Sequence, residues 1–140
     1  MMALAVRQPY ASAIVLGVKT VEWRSRAWKY RGSFVVCASK SPRIKLESGI
    51  VLPTGVAVGI VDIVDCRPFC RDDLDAAYCI PDEYDDHEIA GYAWVLENPR
   101  EVEQVPVKGI VAPWPWKGPE LMLAPGWHKH KLGISREEFL

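Results

Sequence analysis

The sequence has no long apolar run, and this absence excludes a helix that crosses a membrane. Charge or proline interrupts every apolar stretch in the 140 residues. The N-terminal stretch also lacks the features of a secretory signal, because Arg7, Gln8 and Pro9 break its apolar part and no cleavage region follows. We therefore expect a cytoplasmic protein with no membrane contact.

Histidine and cysteine are scarce, and a glycine-rich phosphate loop is absent. The 3 histidines fall in an acidic segment or in the C-terminal tail, so no Ser-His-Asp triad is predicted. One group of residues has to be considered for zinc: Cys66, Cys70, Cys79 and His87. Their spacing matches no compact zinc site, and without an export signal we expect reduced thiols. We predict no metal and no cofactor, with a zinc site as the minor alternative.

Charge is present in both signs but is strongly segregated along the chain. Residues 1–45 carry nine Lys and Arg against one Glu, a balance of +8. Residues 46–107 carry three Arg against fourteen Asp and Glu, a balance of -11. This pattern favours one basic surface that meets phosphates and one acidic surface that repels them. The alternative is that the two segments neutralise each other in the fold.

Hydrophobic periodicity predicts a mainly β domain of the α+β class. Alternating or continuous apolar runs predict strands at 3–6, 19–26, 32–40, 55–66, 91–98, 100–109 and 110–116. A first helix is predicted from Pro9, with Gly17 as its C-terminal cap, and a short helix near 72–79. The dipeptide Asn98-Pro99 predicts a turn. This order does not suit a doubly wound parallel sheet, and it favours a small mixed barrel with peripheral helices.

The stretch "GVKTVEWR" carries the strongest motif, formed by Gly17, Lys19, Glu22 and Arg24. It resembles the signature of the ASCH domain, a branch of the PUA-like superfamily. The flanking segments resemble the same family from Ala3 to Trp116. The resemblance implies a PUA-like β-barrel over residues 1–116. Residues 117–140 are then an extension that packs on this domain or trails from it.

The resemblance also implies a cleft for RNA or a modified nucleoside. Family members include RNA-binding modules, ribonucleases and an amidohydrolase that removes the acetyl group from acetylcytidine. The hydrolytic branch has a reactive threonine three residues after the lysine, where this sequence has Glu22. We therefore expect a binding domain first, a hydrolase of RNA or a modified nucleoside second, and a regulatory protein-interaction module third. The sequence leaves open which base is bound and whether a reaction occurs.

Three charged residues of the motif are the principal site candidates. Lys19 is predicted to anchor a phosphate or to act as a general base. Glu22 would orient a cation, accept a hydrogen bond from a base or donate a proton, and Arg24 would pair with it. Strict strand alternation separates Lys19 from this pair, so a common site requires an irregular turn at 17–20. Otherwise all three are solvated strand residues.

A basic and aromatic stretch follows the motif and supplies further candidates. Arg26, Trp28 and Tyr30 have the composition of a platform for single-stranded nucleic acid. Cation–π packing within the fold is the competing interpretation. Secondary candidates at element ends are Tyr10, Ser39 and Lys40. The acidic segment 72–88 is expected to be a solvated face or a surface for a protein partner.

Overall fold

The computed structural model describes residues 1–78, 89–108 and 112–139, which form a six-stranded sheet with two short helices. The strands are β1 Met2–Val6, β2 Val21–Arg24, β3 Gly32–Ala38, β4 Val56–Pro68, β5 Tyr92–Pro106 and β6 Trp114–Pro115. The helices are α1 Tyr10–Val15 and α2 Trp127–Leu132, and 3₁₀ turns span Arg71–Asp73 and Arg136–Phe139. The prediction of a mainly β domain with short helices is therefore confirmed.

The strands pair in the order β2-β5-β4-β3-β1-β6. Only β1 and β3 are parallel, and every other neighbouring pair is antiparallel. Among the described residues this series is open, with β2 at one end and β6 at the other. Closure of the sheet into a barrel thus stays a prediction.

The prediction of a turn at Asn98-Pro99 is wrong, because β5 continues through these two residues. The two residues form a β-bulge opposite Val61 in β4, and Asn98 has a φ of 55°. A bulge accommodates an extra residue and bends its strand without ending it. Turn-forming residues in the sequence here mark a kink inside one long strand.

Apolar side chains of the sheet pack on both of its faces, because successive residues of a strand point to opposite sides. On one face, α1 covers the main core with Ile14 and Val15. Gly59 permits this close approach, since a Cβ at that position would lie 2.3 Å from a methyl carbon of Val15. On the other face, Ala3 and Val35 pack with the segment after β5.

The C-terminal segment packs on the outer side of α1. Ile134 and Phe139 are fully buried there with Ala13 and Leu52. Helix α2, which precedes them, was not predicted from the sequence. The division into residues 1–116 and an extension 117–140 stays a prediction.

The acidic segment is described only up to Tyr78. The predicted helix near 72–79 is instead the 3₁₀ turn Arg71–Asp73 and a further turn, and residues 79–88 lie outside the described residues. In the described ranges, no helix has both the length and the apolar character needed to span a membrane.

Candidate functional site

The turn after α1 places Lys19 and has the hydrogen bonds of a Schellman motif. The Gly17 N–H donates to the Ile14 carbonyl at 3.0 Å, and the Val18 N–H donates to the Ala13 carbonyl at 2.9 Å. Gly17 has a φ of 77°, the left-handed conformation that glycine adopts without steric cost. The predicted glycine cap is present. Because β2 begins only at Val21, residues 17–20 form the irregular turn that a common site requires.

Lys19 is buried, with 4% of its surface exposed. Its Nζ donates to the Val21 carbonyl at 2.7 Å and to the Ala77 carbonyl at 2.9 Å, and it lies 3.3 Å from Glu22 Oε1. The ammonium is also 5.3 Å from the centre of the Tyr10 ring. Two carbonyls and a carboxylate around an amine are typical of a protonated lysine. This environment favours a role of Lys19 as a fixed cation over a role as a general base.

Glu22 lies between two cations. Its Oε2 accepts hydrogen bonds from Arg24 Nε at 3.0 Å and Nη2 at 2.8 Å. Arg24 Nη2 also donates to the Ala5 carbonyl at 3.0 Å, and its guanidinium lies over the Trp94 ring. Glu22 and Arg24 point to the same side of β2, as their spacing predicts. We refer to Lys19, Glu22 and Arg24 together as the charged cluster.

The charged cluster lines a pocket of about 520 Å³ between β2 and the end of β1. These two strands are not paired by backbone hydrogen bonds in the described sheet, and the bond from Arg24 to Ala5 connects them. We call this space the seam pocket. Its described lining residues are Ala5, Val6, Arg7, Tyr10, Lys19, Glu22, Trp23, Arg24, Ser39 and Ala77. Five of the predicted site residues thus lie around one cavity.

Two secondary candidates reach the seam pocket from different elements. Tyr10 begins α1, and Ser39 follows β3. The Ser39 N–H donates to the Val6 carbonyl at 2.9 Å, which holds the ends of the parallel strands β1 and β3 together. The sequence shows each residue at an element end, and the parallel pairing brings them to the same place.

The other predicted site residues do not line this pocket. Arg26 and Lys40 are exposed outside it. The ring of Trp28 stacks on Tyr30 at 4.8 Å between centroids and also contacts Phe34 and Trp94. Both rings pack against the main core, and a role of this pair as a platform for nucleic acid stays a prediction.

Sequence reasoning missed the other five described lining residues, of which Arg7 and Trp23 have a charged or aromatic side chain. Arg7 follows β1 directly. It could have been found from the sequence because it is adjacent to residue 6, the predicted end of the first strand. Trp23 is 47% exposed, and its Nε1 donates to the Ala90 carbonyl at 2.7 Å. Because strand alternation directs its side chain away from that of Glu22, the indole does not belong to the charged cluster.

A buried polar chain lies behind α1 and was also missed. His128 Nδ1 lies 2.7 Å from Glu101 Oε2, and its Nε2 lies 3.0 Å from Ser12 Oγ. With Nδ1 protonated, the ring donates to the carboxylate and accepts from the hydroxyl. Ser12 Oγ in turn accepts from Gln8 Nε2 at 2.9 Å. Ser12 and His128 are fully buried, so this arrangement serves packing between elements.

The cysteines show no metal arrangement within the described residues. Cys66 is half-buried and Cys70 is exposed, whereas Cys79 and His87 lie outside the described residues. No group of three or more His, Cys, Asp or Glu side chains in residues 1–78, 89–108 and 112–139 could hold a metal ion. Burial raises the pKa of Cys37 to about 12, which makes this thiol unreactive.

One carboxylate in the described part of the acidic segment, that of Asp73, is buried. Asp73 accepts two hydrogen bonds from Arg67, at 2.8 and 2.7 Å, and one from the Cys70 N–H at 2.9 Å. Its neighbours Asp72 and Asp75 are exposed. A protein-binding role for the segment 72–88 stays a prediction.

Fold and site together define a class of small mainly β domain, in which a short first helix ends in a charged turn beside a pocket. The chain belongs to the ASCH domain family, whose model matches residues 4–106. The resemblance inferred from the motif is therefore confirmed. The comparison with curated proteins gives no match.

Crystal structures of an ASCH protein from Zymomonas mobilis are similar to this chain. One aligns with a TM-score of 0.61 at 15% identity, over 83% of this chain and 87% of the other. A serine-to-alanine variant of that protein gives 0.60 at 16% identity, over 83% and 88%. A tyrosine-to-phenylalanine variant gives 0.55 at 16% identity, over 75% and 74%. At this identity the likeness shows the fold alone.

Proposed function

We propose that the seam pocket binds a nucleoside, either a free modified nucleoside or one unit of single-stranded RNA. The observation that carries this proposal is the charged cluster, in which Glu22 contacts both Lys19 and Arg24 at the wall of a cavity. The ASCH family as a whole is linked to RNA binding and to hydrolase-like activity.

The free-energy cost of burying the charged cluster supports a binding role. Lys19 and Glu22 are 4% and 7% exposed, and the removal of two charges from water costs several kcal/mol per ion before pairing offsets it. Apolar residues of similar volume often give the same stability or more. Stability alone is thus a weak reason for this cluster, and charged groups at the wall of a cavity are typical of a binding or active site.

The shape and chemistry of the seam pocket suit a nucleoside. Its volume of about 520 Å³ lies within the ordinary range of small-molecule sites. Ala5, Val6 and Tyr10 offer apolar and aromatic surface for the faces of a base. Arg24 supplies donors, and the Glu22 carboxylate accepts from an exocyclic amine, so the edge of the base is recognised as well.

Arg24→Gln is the variant that tests the proposal, because the Arg24 side chain is 27% exposed and its loss leaves Lys19 to compensate Glu22. We expect this variant to remain folded and to bind ribonucleosides or short single-stranded RNA about tenfold more weakly. Arg26→Ala is the matched control, since it removes the same charge two residues away and outside the pocket. Affinity is measured at low salt by calorimetry against a panel of nucleosides and short RNAs.

The result separates the proposal from its competitors. Equal losses in the two arginine variants would indicate nonspecific attraction to phosphates and would contradict a pocket. If the wild-type protein binds no member of the panel at low salt, the proposal is wrong. Thermal unfolding of both variants, followed by circular dichroism, shows whether each has kept its fold.

A second candidate is a hydrolase of RNA or of a modified nucleoside. The observation that favours it is the 3.3 Å contact between Lys19 Nζ and Glu22 Oε1 within a pocket. In such a reaction Glu22 activates a water, and Lys19 stabilises negative charge in the transition state. Incubation with the same panel, followed by mass analysis, should then show products that Glu22→Gln does not form. Binding without products would exclude hydrolysis of the nucleosides and RNAs in the panel.

A further inference from the structure

We infer that the seam pocket takes a phosphorylated nucleoside, with Arg7 as the residue that binds the phosphate. This inference rests on the proposed function and specifies its ligand class: a mononucleotide, or a nucleotide unit of RNA, in preference to a free nucleoside.

The described lining residues of the pocket carry more positive than negative charge. Of its described lining residues, Arg7, Lys19 and Arg24 are cationic, and Glu22 alone is anionic. Glu22 contacts both other members of the charged cluster, so its single charge is already shared between them. Among the described lining residues, positive charge is therefore in excess, and a phosphate offers these cations a counter-charge that an uncharged nucleoside lacks.

A second feature of the pocket is the guanidinium of Arg7. Arg7 is exposed at the pocket, and its side chain has no hydrogen bond or ion pair within the part of the chain that the structure describes. A guanidinium offers a planar set of donors that matches two phosphate oxygens at once. Arg24, in contrast, already uses its Nε and Nη2 donors on Glu22 and the Ala5 carbonyl, so fewer of its donors face a ligand.

A rigid backbone presents Arg7 to the pocket. On one side, the Val6 carbonyl accepts from Ser39, and the Arg7 carbonyl accepts from the Ala11 N–H at 3.1 Å. On the other side, the buried Gln8 side chain donates to the Pro53 carbonyl at 2.9 Å. A fixed backbone reduces the entropy that is lost when a side chain engages a ligand.

Ser39 completes the rim at the same place. It follows β3 as Arg7 follows β1, and these parallel strands end side by side, with Val6 opposite Ala38. Both residues line the pocket. A serine hydroxyl beside an arginine supplies a further donor for a phosphate oxygen. The rim formed by Arg7 and Ser39 belongs to the ends of β1 and β3, whereas Glu22 and Arg24 belong to β2, so the phosphate and the base have contacts from different strands.

The test compares each ribonucleoside with its own 5′- and 3′-monophosphate. In the wild-type protein, we expect at least one monophosphate to bind about tenfold more tightly than the parent nucleoside. Arg7→Ala should remove this difference, because the affinity for the monophosphate falls to about that for the parent nucleoside. Arg43→Ala, which removes an exposed arginine of the same basic segment outside the pocket, should retain the difference. A short single-stranded RNA carrying the preferred base is measured in parallel.

Each outcome decides between the inference and the proposed function. If nucleoside and monophosphate bind equally, the pocket still binds a nucleoside but the phosphate inference is wrong. A preference for monophosphates that survives in Arg7→Ala would place the phosphate elsewhere and would overturn the role of Arg7. If neither nucleosides nor monophosphates bind, the proposed function itself fails. Since Arg7 is exposed and its side chain lacks described contacts, its substitution should leave the thermal midpoint unchanged.

Discussion

At the scale of single residues, burial decides what Lys19 can do. Its sequence neighbourhood, a turn that follows a glycine, is typical of an exposed lysine, yet only 4% of its surface is exposed. Its three described acceptors match the three hydrogens of an ammonium. Lys19 therefore acts as a fixed positive charge that holds Glu22. For this reason Arg24, rather than Lys19, is the better position for a binding test.

Asp73 provides a prediction on pH dependence. The hydrogen bonds from Arg67 hold the pKa of this buried carboxyl at about 2, below its ordinary value of 3.8. A lowered pKa stabilises the folded state above the unfolded pKa, and this contribution is lost as the pH falls from about 4 to about 2. Asp73→Asn should lower the free energy of unfolding by about 2 kcal/mol at pH 7 and by much less at pH 2.

Urea unfolding of wild type and variant at pH 7, 4 and 2 measures this difference. Asp72→Asn is the control, because it removes the adjacent carboxylate, which is exposed. A destabilisation by Asp73→Asn that is equally large at pH 2 would show that the effect comes from packing rather than from the ionised pair.

At the scale of elements, two helix ends permit a matched comparison. Gly17 after α1 and Gly133 after α2 both have left-handed φ values, 77° and 70°, and a Cβ would meet no close obstacle at either. An alanine in this conformation costs about 1 kcal/mol. Gly17→Ala and Gly133→Ala should therefore lower the stability by similar amounts. Only Gly17→Ala should also weaken nucleoside binding, because the turn at residues 17–20 positions Lys19.

Chemical denaturation and nucleoside calorimetry on the two glycine variants test this prediction. Equal binding by both variants would show that the position of Lys19 does not depend on the conformation of the turn. Greater instability of Gly133→Ala would show instead that the end of α2 contributes more to the fold than the end of α1.

Sequence patterns predicted the elements whose signals are local. The valine- and isoleucine-rich run of β4, the helix before Gly17 and the pairing of Glu22 with Arg24 all depend on residues a few positions apart. The β-bulge at Asn98-Pro99 was mistaken for a turn, since turn-forming residues and a bulge share the same composition. The packing of Trp28 against Trp94 joins distant segments, and no local pattern distinguishes it from an exposed platform.

At the scale of the whole molecule, His128 connects the C-terminal segment to the rest of the domain. It is fully buried and bonds Ser12, 116 residues earlier, and Glu101, 27 residues earlier. At such separations no motif is visible in the sequence, which explains why the contact was missed. The same applies to Arg7, which the parallel pairing of β1 and β3 brings to the pocket.

His128→Ala should destabilise the protein by about 3 kcal/mol, because it creates a cavity and leaves the partly buried Glu101 carboxylate without its ring partner. His130→Ala, an exposed histidine on the same helix, is the control and should change the stability little. The free energy of unfolding is measured in urea at pH 7. Equal stability of the two variants would show that the buried chain does not hold the C-terminal segment in place.

The connection between β1 and β2 has a consequence for how the pocket responds to occupancy. Because the Arg24 guanidinium connects these strands in the described part of the chain, a ligand that accepts from Arg24 Nη2 competes with the Ala5 carbonyl for its hydrogens. Occupancy and the separation of the two strands are then thermodynamically linked, each changing the other by the same free energy. Filling of the pocket should therefore change the rate of amide hydrogen exchange at the end of β1.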